Sequence, residues 1–385
     1  MARPVSPLIP PAPIRVGLVG AGCMGRGIAF QIHHTPGMSL AWVADLDEKV
    51  AREVAGLAPG AASGRSCEQL LTTSPVDVFV EATNSIAPAF SYCRQALEHG
   101  AHVVLMNAEV DLAFGPELAA LAEKFDRVVT SDAGDQHGVL ASMIAEADLM
   151  GFDIVQAGNI KGFLDVRATP QSIAAEAAKR NLSAVQCCAY TDGTKLHIEM
   201  AVLANALGYL PPQGGMTGPR ATRVEEALSL FEFDRYGGTP RIDYLLGAEP
   251  GGGVYLVVRP KPDLPSEQQR YLDYYKLPAS PCGRFRLLYR PCHLCHLETP
   301  KAILAAVSGQ AILAPMPEKI CDVYAYAKHD LPVGTTISHA MGSAEVYGRV
   351  EPLDSSKVPI ASLESAHELC RAIAQDTPLT KEDLT

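Results

Sequence analysis

The chain has 385 residues, 48% of them hydrophobic, enough apolar material for a large core and two or three domains. Its formal charge of -11 and the lack of any Lys/Arg-rich run exclude a binder of nucleic-acid backbones, which needs concentrated positive charge. No uninterrupted apolar segment approaches the roughly 20 residues that cross a bilayer.

The opening MARPVSPLIPPAPIRVG is rich in proline and lacks the cationic start, apolar stretch and cleavage site of a signal peptide. Residues 1–13 therefore read as a flexible leader, and a cytoplasmic protein with no membrane partner is expected. Ten cysteines scattered through such a chain are expected as thiols that pack as small hydrophobes, not as a disulfide framework.

From Ile14 the sequence runs as a short apolar strand, then Gly20, Gly22 and Gly25 in G-x-G-x-x-G spacing, then a helical pattern beginning near Cys23 and Met24. In this context Gly20 permits the tight turn, Gly22 lets the backbone approach a pyrophosphate, and Gly25 lets helix and strand pack closely. The helix N-terminus supplies N–H donors. A second strand, LAWVAD, ends in Asp45, twenty residues after Gly25, where a carboxylate accepts hydrogen bonds from ribose hydroxyls and repels a 2'-phosphate. Leu46 follows where a phosphate binder would place arginine, so NAD is favoured over NADP.

VDVFVEAT, AHVVLMN and RVVTSD continue a strand-helix alternation, the pattern of an α/β protein with a Rossmann doubly wound parallel sheet. Ligands of such sheets sit beyond the carboxyl ends of the strands. That assigns Thr83, Asn107 and Glu109 to the cofactor side. It places Asp135, Gln136 and His137 of SDAGDQHG toward nicotinamide or substrate, unless they only cap a helix starting at Val139.

After Met150 the segments lengthen, as expected of an α+β substrate domain. In NIKGFLDVRATP, Lys161 and Arg167 can hold an anionic group of a substrate. YTDGTKLHIEMAVLANALGY predicts a helix capped by Thr191 or Asp192 and ending at Gly208. On that helix Asp192, Lys195 and Glu199 would share a face. A lysine among carboxylates on a largely buried helix needs partners or a ligand, which makes Lys195 the leading candidate for proton transfer or substrate orientation, with Asp192 and Glu199 beside it, unless it only forms an ordinary (i, i+4) ion pair.

YRPCHLCHLETP, residues 289 to 300, contains the C-x-x-C-H pattern of covalent haem attachment at Cys292, Cys295 and His296. A chain without an export signal and with a nicotinamide site does not fit that use. No second ligand pair is spaced for structural zinc either. Beyond Ala314 the pattern turns β-rich and punctuated, and LESAHELCRAIAQ predicts a short helical segment near the end.

Taken together, the glycine loop, MNAEVD, GDQHG, TDGTKLHIEMAVLANA, DYLLGAEPGGGVYLVVRP, YRPCHLCHLETP and VYAYAKHDLPVGTTI resemble the homoserine-dehydrogenase-like NAD(P) oxidoreductases that carry a C-terminal SAF domain. Within that group they are similar to the branch near type II 1-deoxy-D-xylulose 5-phosphate reductoisomerases. The resemblance implies a dinucleotide-binding domain over 14–138, completed by 292–312, a substrate domain over 139–291, and a small β-rich SAF domain and tail over 313–385 with a capping or interaction role. It implies a homo-oligomer and a catalytic lysine at Lys195.

Homoserine dehydrogenases read Asn-Lys where this chain has Asn107, Ala108 and Glu109, which argues against homoserine. The reductoisomerase branch uses NADPH, which Asp45 fits poorly, so the cofactor stays NAD or NADP with NAD favoured. The resemblance also places His293, His296 and Glu298 at the domain junction. There they would bind a polyhydroxy substrate or, with Asp192 or Glu199, hold a divalent cation that stabilises enolate-like charge.

The function expected is hydride transfer on a small hydroxy-carbonyl compound, sugar-phosphate-like in one version, by either a plain dehydrogenase or a reductoisomerase. The competing class is a non-catalytic nucleotide-binding sensor or assembly protein.

Overall fold

The structure is a computed structural model that describes residues 12–179 and 182–385, so most of the expected leader lies outside the described residues. The chain divides into two compact units. The first runs up to Gly138 and takes up Leu294–Glu318; the second comprises Val139–His293 and Lys319–Thr385.

The first unit alternates β1 (Ile14–Val19), α1 (Cys23–His34), β2 (Met38–Ala44), α2 (Glu48–Ala55), β3 (Ala62–Gly64), α3 (Cys67–Thr73), β4 (Val78–Glu81), α4 (Ala87–Glu98), β5 (His102–Leu105), α5 (Ala108–Phe125) and β6 (Val129–Ser131). All neighbouring strands are parallel, in the order β3-β2-β1-β4-β5-β6. This is the doubly wound sheet, with its switch point between β1 and β4.

Strand alternation divides the apolar side chains between two cores. Val16, Leu18, Val78 and Val80 enter one, with Ile28 of α1; Val19 and Phe79 enter the other, with Trp42, Leu97 and Leu105. Trp42 lies across Gly17, where a Cβ would stand 2.3 Å from its ring, and its indole N–H donates to the Ser74 carbonyl at 2.9 Å. Any side chain at Gly17 would displace the largest buried residue of this unit.

In the second unit α6 (Gln136–Leu149), which starts in the first, leads into β7 (Phe152–Lys161). The helices α7 (Pro170–Lys179), α8 (Ala184–Thr191), α9 (Thr194–Leu207) and α10 (Ala227–Leu230) follow. Next come β8 (Arg241–Leu246), β9 (Val254–Pro260), α11 (Ser266–Tyr274) and β10 (Arg286–Arg290). The strands form a mixed sheet in the order β10-β9-β7-β8. Gly158 admits the ring of Tyr255, whose buried hydroxyl accepts from Gln156 at 2.7 Å. The chain then returns to the first unit as α12 (Cys295–Val307), which packs on α1.

Of residues 313–385, expected as a small β-rich module and tail, Lys319–Thr385 fall in the second unit. They contribute β11 (Cys321–Ala327), β12 (Thr336–Ile337), β13 (Val346–Pro352) and β14 (His367–Glu368). One face of α9 explains this. Thr194 Oγ accepts from Gly348 N at 2.9 Å, His197 Nδ1 accepts from Val350 N at 3.1 Å, and Asn205 Oδ1 accepts from Ile320 N at 2.9 Å. Backbone groups of the tail are thus satisfied by helix side chains.

The helix expected in LESAHELCRAIAQ is absent. That stretch is extended, with Leu369 bridged to Leu384 and Ile373 to Leu331, and both leucine and isoleucine are buried. Tertiary pairing overrides the local helix propensity.

No helix among the described residues is long and apolar enough to cross a membrane.

Candidate functional site

The first unit builds a dinucleotide loop at its switch point. Gly20 has φ +89°, and a Cβ there would lie 2.5 Å from the Ala82 carbonyl oxygen, so β1 and β4 meet at a place only glycine fits. A Cβ on Gly25 would lie 1.8 Å from the Gly20 carbonyl oxygen, which fixes the approach of α1 to the turn. Gly22 differs, for nothing lies within 4 Å of its would-be Cβ. The space that a side chain would fill is open to a pyrophosphate, and no side chain caps the start of α1, where Cys23 and Met24 present the first N–H groups.

Asp45, just beyond β2, is bonded to this loop. Its Oδ2 accepts from Ala21 N at 2.7 Å and its Oδ1 from Asp47 N at 2.9 Å. These residues fit a dinucleotide.

Two further loops are tied together at the carboxyl end of this sheet. Asn107 caps α5 by accepting from Glu109 N, and its amide donates to the Ser85 carbonyl at 2.8 Å. Thr83 meets Ser85 through their hydroxyls at 3.0 Å. Beneath Thr83 sits Glu81, fully buried, whose Oε1 accepts from Thr83 N at 2.8 Å. Burial, aided by the nearby Glu109 charge, pushes its carboxyl up to about 8.

At the end of β6 the expected loop is shorter than read: Gln136 and His137 are buried in the first turn of α6, which starts three residues before Val139. Asp135 remains half-buried. Beside it is Asp132, which the sequence reading overlooked. It is fully buried, accepts from Gly134 N at 2.7 Å, and is pushed up to about 7 by burial and then by the Asp135 and Glu298 charges.

Asp132, Asp135 and Glu298 thus belong to one electrostatic group. His296, on the same helix as Glu298, lays its ring against Gly27 of α1, where a Cβ would stand 2.6 Å from its Cδ2. Cys292 is exposed and Cys295 half-buried, so these two do not pack as small core residues.

In the second unit the expected single face of Asp192, Lys195 and Glu199 is corrected. Gly193, at φ +89°, breaks the helix, so Asp192 caps α8 while α9 begins at Thr194. The Asp192 carboxylate accepts from Thr194 N at 2.9 Å and pairs with Lys328 Nζ at 2.8 Å, both side chains being buried. Lys195 and Glu199 remain one turn apart on α9. Within Thr194–Ala204 Lys195 alone escapes burial, with Nζ 5.7 Å from the Tyr190 ring centre, whereas Glu199 is 8% exposed.

Arg167, expected to bind an anion, is held inside the unit: its guanidinium pairs with Asp376 and donates to the Lys328 carbonyl at 2.6 Å. Lys161 ends β7 and His293 follows β10; both are half-buried. Among the described residues no group of three or more His, Cys, Asp or Glu side chains is arranged to hold a metal ion.

Two family models match this chain. Residues 20–130 match the NAD-binding domain of homoserine dehydrogenase, and residues 134–299 match the catalytic domain of the oxidoreductase DRL. A curated relative, the homoserine dehydrogenase of Neisseria gonorrhoeae, is 29% identical over 136 residues; the match spans 33% of this chain and 31% of that enzyme.

Among solved structures, GenD2 from gentamicin A biosynthesis in complex with NAD is similar with a TM-score of 0.44 and 15% identity, over 83% of this chain and 92% of that one. Myo-inositol 2-dehydrogenase from Lactobacillus plantarum is similar with a TM-score of 0.45 and 13% identity, over 78% and 91%. The doubly wound sheet, its glycine loop and the two matched domains define an NAD(P)-dependent oxidoreductase. Its residues 20–130 are similar to the NAD-binding domain of homoserine dehydrogenase, and residues 134–299 to the catalytic domain of the oxidoreductase DRL.

Proposed function

We propose that this oxidoreductase acts on a small hydroxy-carbonyl substrate, with Lys195 holding the proton that the reacting oxygen gains or loses. Bound nicotinamide supplies or accepts the hydride. The observation that carries the reading is the position of Lys195, the sole residue not buried in Thr194–Ala204, one turn from the buried Glu199. An ammonium there stabilises a nascent alkoxide.

Gly20, Gly22, Gly25 and the start of α1 would hold the pyrophosphate, Asp45 the adenosine ribose, and Thr83, Asn107 and Glu109 the nicotinamide side. Asp45 supports NAD over NADP by repelling a 2'-phosphate. Asp135, Gln136, Lys161, His293, His296 and Glu298 are proposed for substrate; Arg167 is withdrawn to its pair with Asp376, and Asp192 to its pair with Lys328. A cytoplasmic homo-oligomer without nucleic-acid or membrane partners completes the proposal.

The described residues gather no ligand set for a metal ion. The test is a screen of polyols, hydroxy acids and sugar phosphates against NAD and NADP, read as absorbance of the reduced cofactor. On whichever substrate turns over, Lys195→Ala should lose at least about a hundredfold in kcat while binding NADH normally. Unchanged turnover in that variant refutes the assignment. Activity abolished by a chelator and restored by a divalent cation would replace plain hydride transfer with the reductoisomerase version.

A further inference from the structure

We propose that Lys328, in the C-terminal tail, is a positioning residue for Lys195, acting through Asp192 and the start of α9. The inference rests on the reading of Lys195 given above. Lys328 is 1% exposed, and a buried ammonium has three N–H donors to satisfy. The structure supplies three oxygen acceptors: Asp192 Oδ2 at 2.8 Å, the Ser343 carbonyl at 2.6 Å and the Ala168 carbonyl at 2.7 Å. The Cys188 sulfur stands 3.5 Å away on the adjoining helix α8.

Each acceptor comes from a different segment. Ala168 lies in the loop after β7, Asp192 in the two-residue break between α8 and α9, and Ser343 in the tail itself. One ammonium therefore fixes the mutual position of three stretches of the second unit.

The break is the part that matters for chemistry. Asp192 offers one oxygen to Lys328 and the other to Thr194 N, the first N–H of α9, and Lys195 is the next residue. Gly193, at φ +89°, gives this junction little stiffness of its own. With Lys328 in place the Asp192 carboxylate is held from both sides, and the first turn of α9 is fixed in position and direction.

A second set of bonds locks the lysine's own backbone: Arg167 donates to the Lys328 carbonyl at 2.6 Å and pairs with Asp376. The tail is thus built into the support of Lys195. Buried ion pairs are poor stabilisers compared with apolar replacements of the same volume, and geometric specificity is one reason for keeping such a pair.

The test uses the full chain and needs no turnover. Lys328→Met leaves Asp192 as a lone buried charge and is expected to unfold the unit; the double variant Lys328→Met/Asp192→Asn removes both charges and is expected to fold. The probe is acetic anhydride, with acetylation of Lys195 measured by mass spectrometry relative to Lys179, which is exposed on α7.

If Lys328 positions Lys195, the folded double variant binds NADH within twofold of wild type, yet the Lys195-to-Lys179 labelling ratio changes at least fivefold. A double variant that folds with an unchanged ratio overturns the proposal, as does one that fails to fold, since either outcome leaves the pair with a structural role alone. Unchanged turnover in Lys195→Ala would remove the proton-transfer reading without touching the labelling result.

Discussion

Replacing Glu81 by glutamine should make the first unit indifferent to alkali over a range where the wild-type protein weakens. Glu81 ends β4 with no exposed surface, one oxygen accepting from Thr83 N and the other, Oε2, without a hydrogen-bond partner among the described residues. Burial is the main reason its carboxyl is pushed from 4.5 up to about 8, with the Glu109 charge adding to it. The folded state therefore keeps a proton that the unfolded chain has already released.

Where the folded state binds more protons, stability falls as pH rises. The contribution of Glu81 is complete below 4.5 and is lost progressively up to about 8, a total of roughly 5 kcal/mol at 1.36 kcal/mol for each pH step. Glutamine has the same shape, keeps an acceptor for Thr83 N and has no proton to lose.

The assay is unfolding in urea followed by tryptophan fluorescence. The chain has one tryptophan, Trp42, fully buried in the core of the first unit beside Phe79, so the signal reports that unit by itself. Between pH 4.5 and 9 the stability of Glu81→Gln relative to wild type should climb by several kcal/mol, up to roughly 5. A difference that stays flat to within about 1 kcal/mol would show that Glu81 is ionised in the folded protein, and the account of its burial would fail.

The glycine loop gives a contrast between two small substitutions. Gly25→Ala places a Cβ against the Gly20 carbonyl and should lower both thermal stability and NADH affinity, whereas Gly22→Val meets open space and should fold normally while losing NADH affinity on the order of tenfold or more by fluorescence titration. Asp45→Ser should raise the NADP-to-NAD preference on the order of tenfold in the same titration, by removing a carboxylate from the ribose position.

His197 should set the acid limit of the second unit. Burial, with the Arg349 charge, pushes it down to about 3, so its contribution is present above 6.5 and lost as pH falls toward 3. Calorimetry should then show His197→Gln losing several degrees less than wild type between pH 7 and 4, with roughly 3 kcal/mol as the ceiling of the effect over that range.

The first unit was legible from sequence because its signals are local. Glycine spacing, the strand ending in Asp45 and the apolar runs of a sheet buried on both faces each report their own position. Asp132 and Glu81 escaped notice for the opposite reason: a carboxylate next to a strand reads as solvated unless the fold that buries it is known. Gly193 misled in a similar way. Its neighbours Asp192 and Lys195 have helix-face spacing, and a left-handed glycine between them moves Asp192 off that face. LESAHELCRAIAQ has helical composition, yet bridges from Ile373 to Leu331 and from Leu369 to Leu384 hold it extended.

The tail carries the most consequential of these differences. KHDLPVGT resembles part of a small β-rich module with a capping or interaction role, and the sequence assigns no role to Lys328. Its significance depends on partners 140 and more positions away, Cys188 and Ala168, and on Asp192 in the helix break. A charge at such a distance leaves no trace in spacing or periodicity. It becomes readable once α9 is seen to satisfy the tail's backbone through Thr194, His197 and Asn205, and once the carboxylate beside Lys195 proves to be held by a lysine from that same tail. The helix carrying the proposed proton donor and the tail are therefore tied together within one unit, and under the proposed positioning role a substitution at Lys328 acts on Lys195.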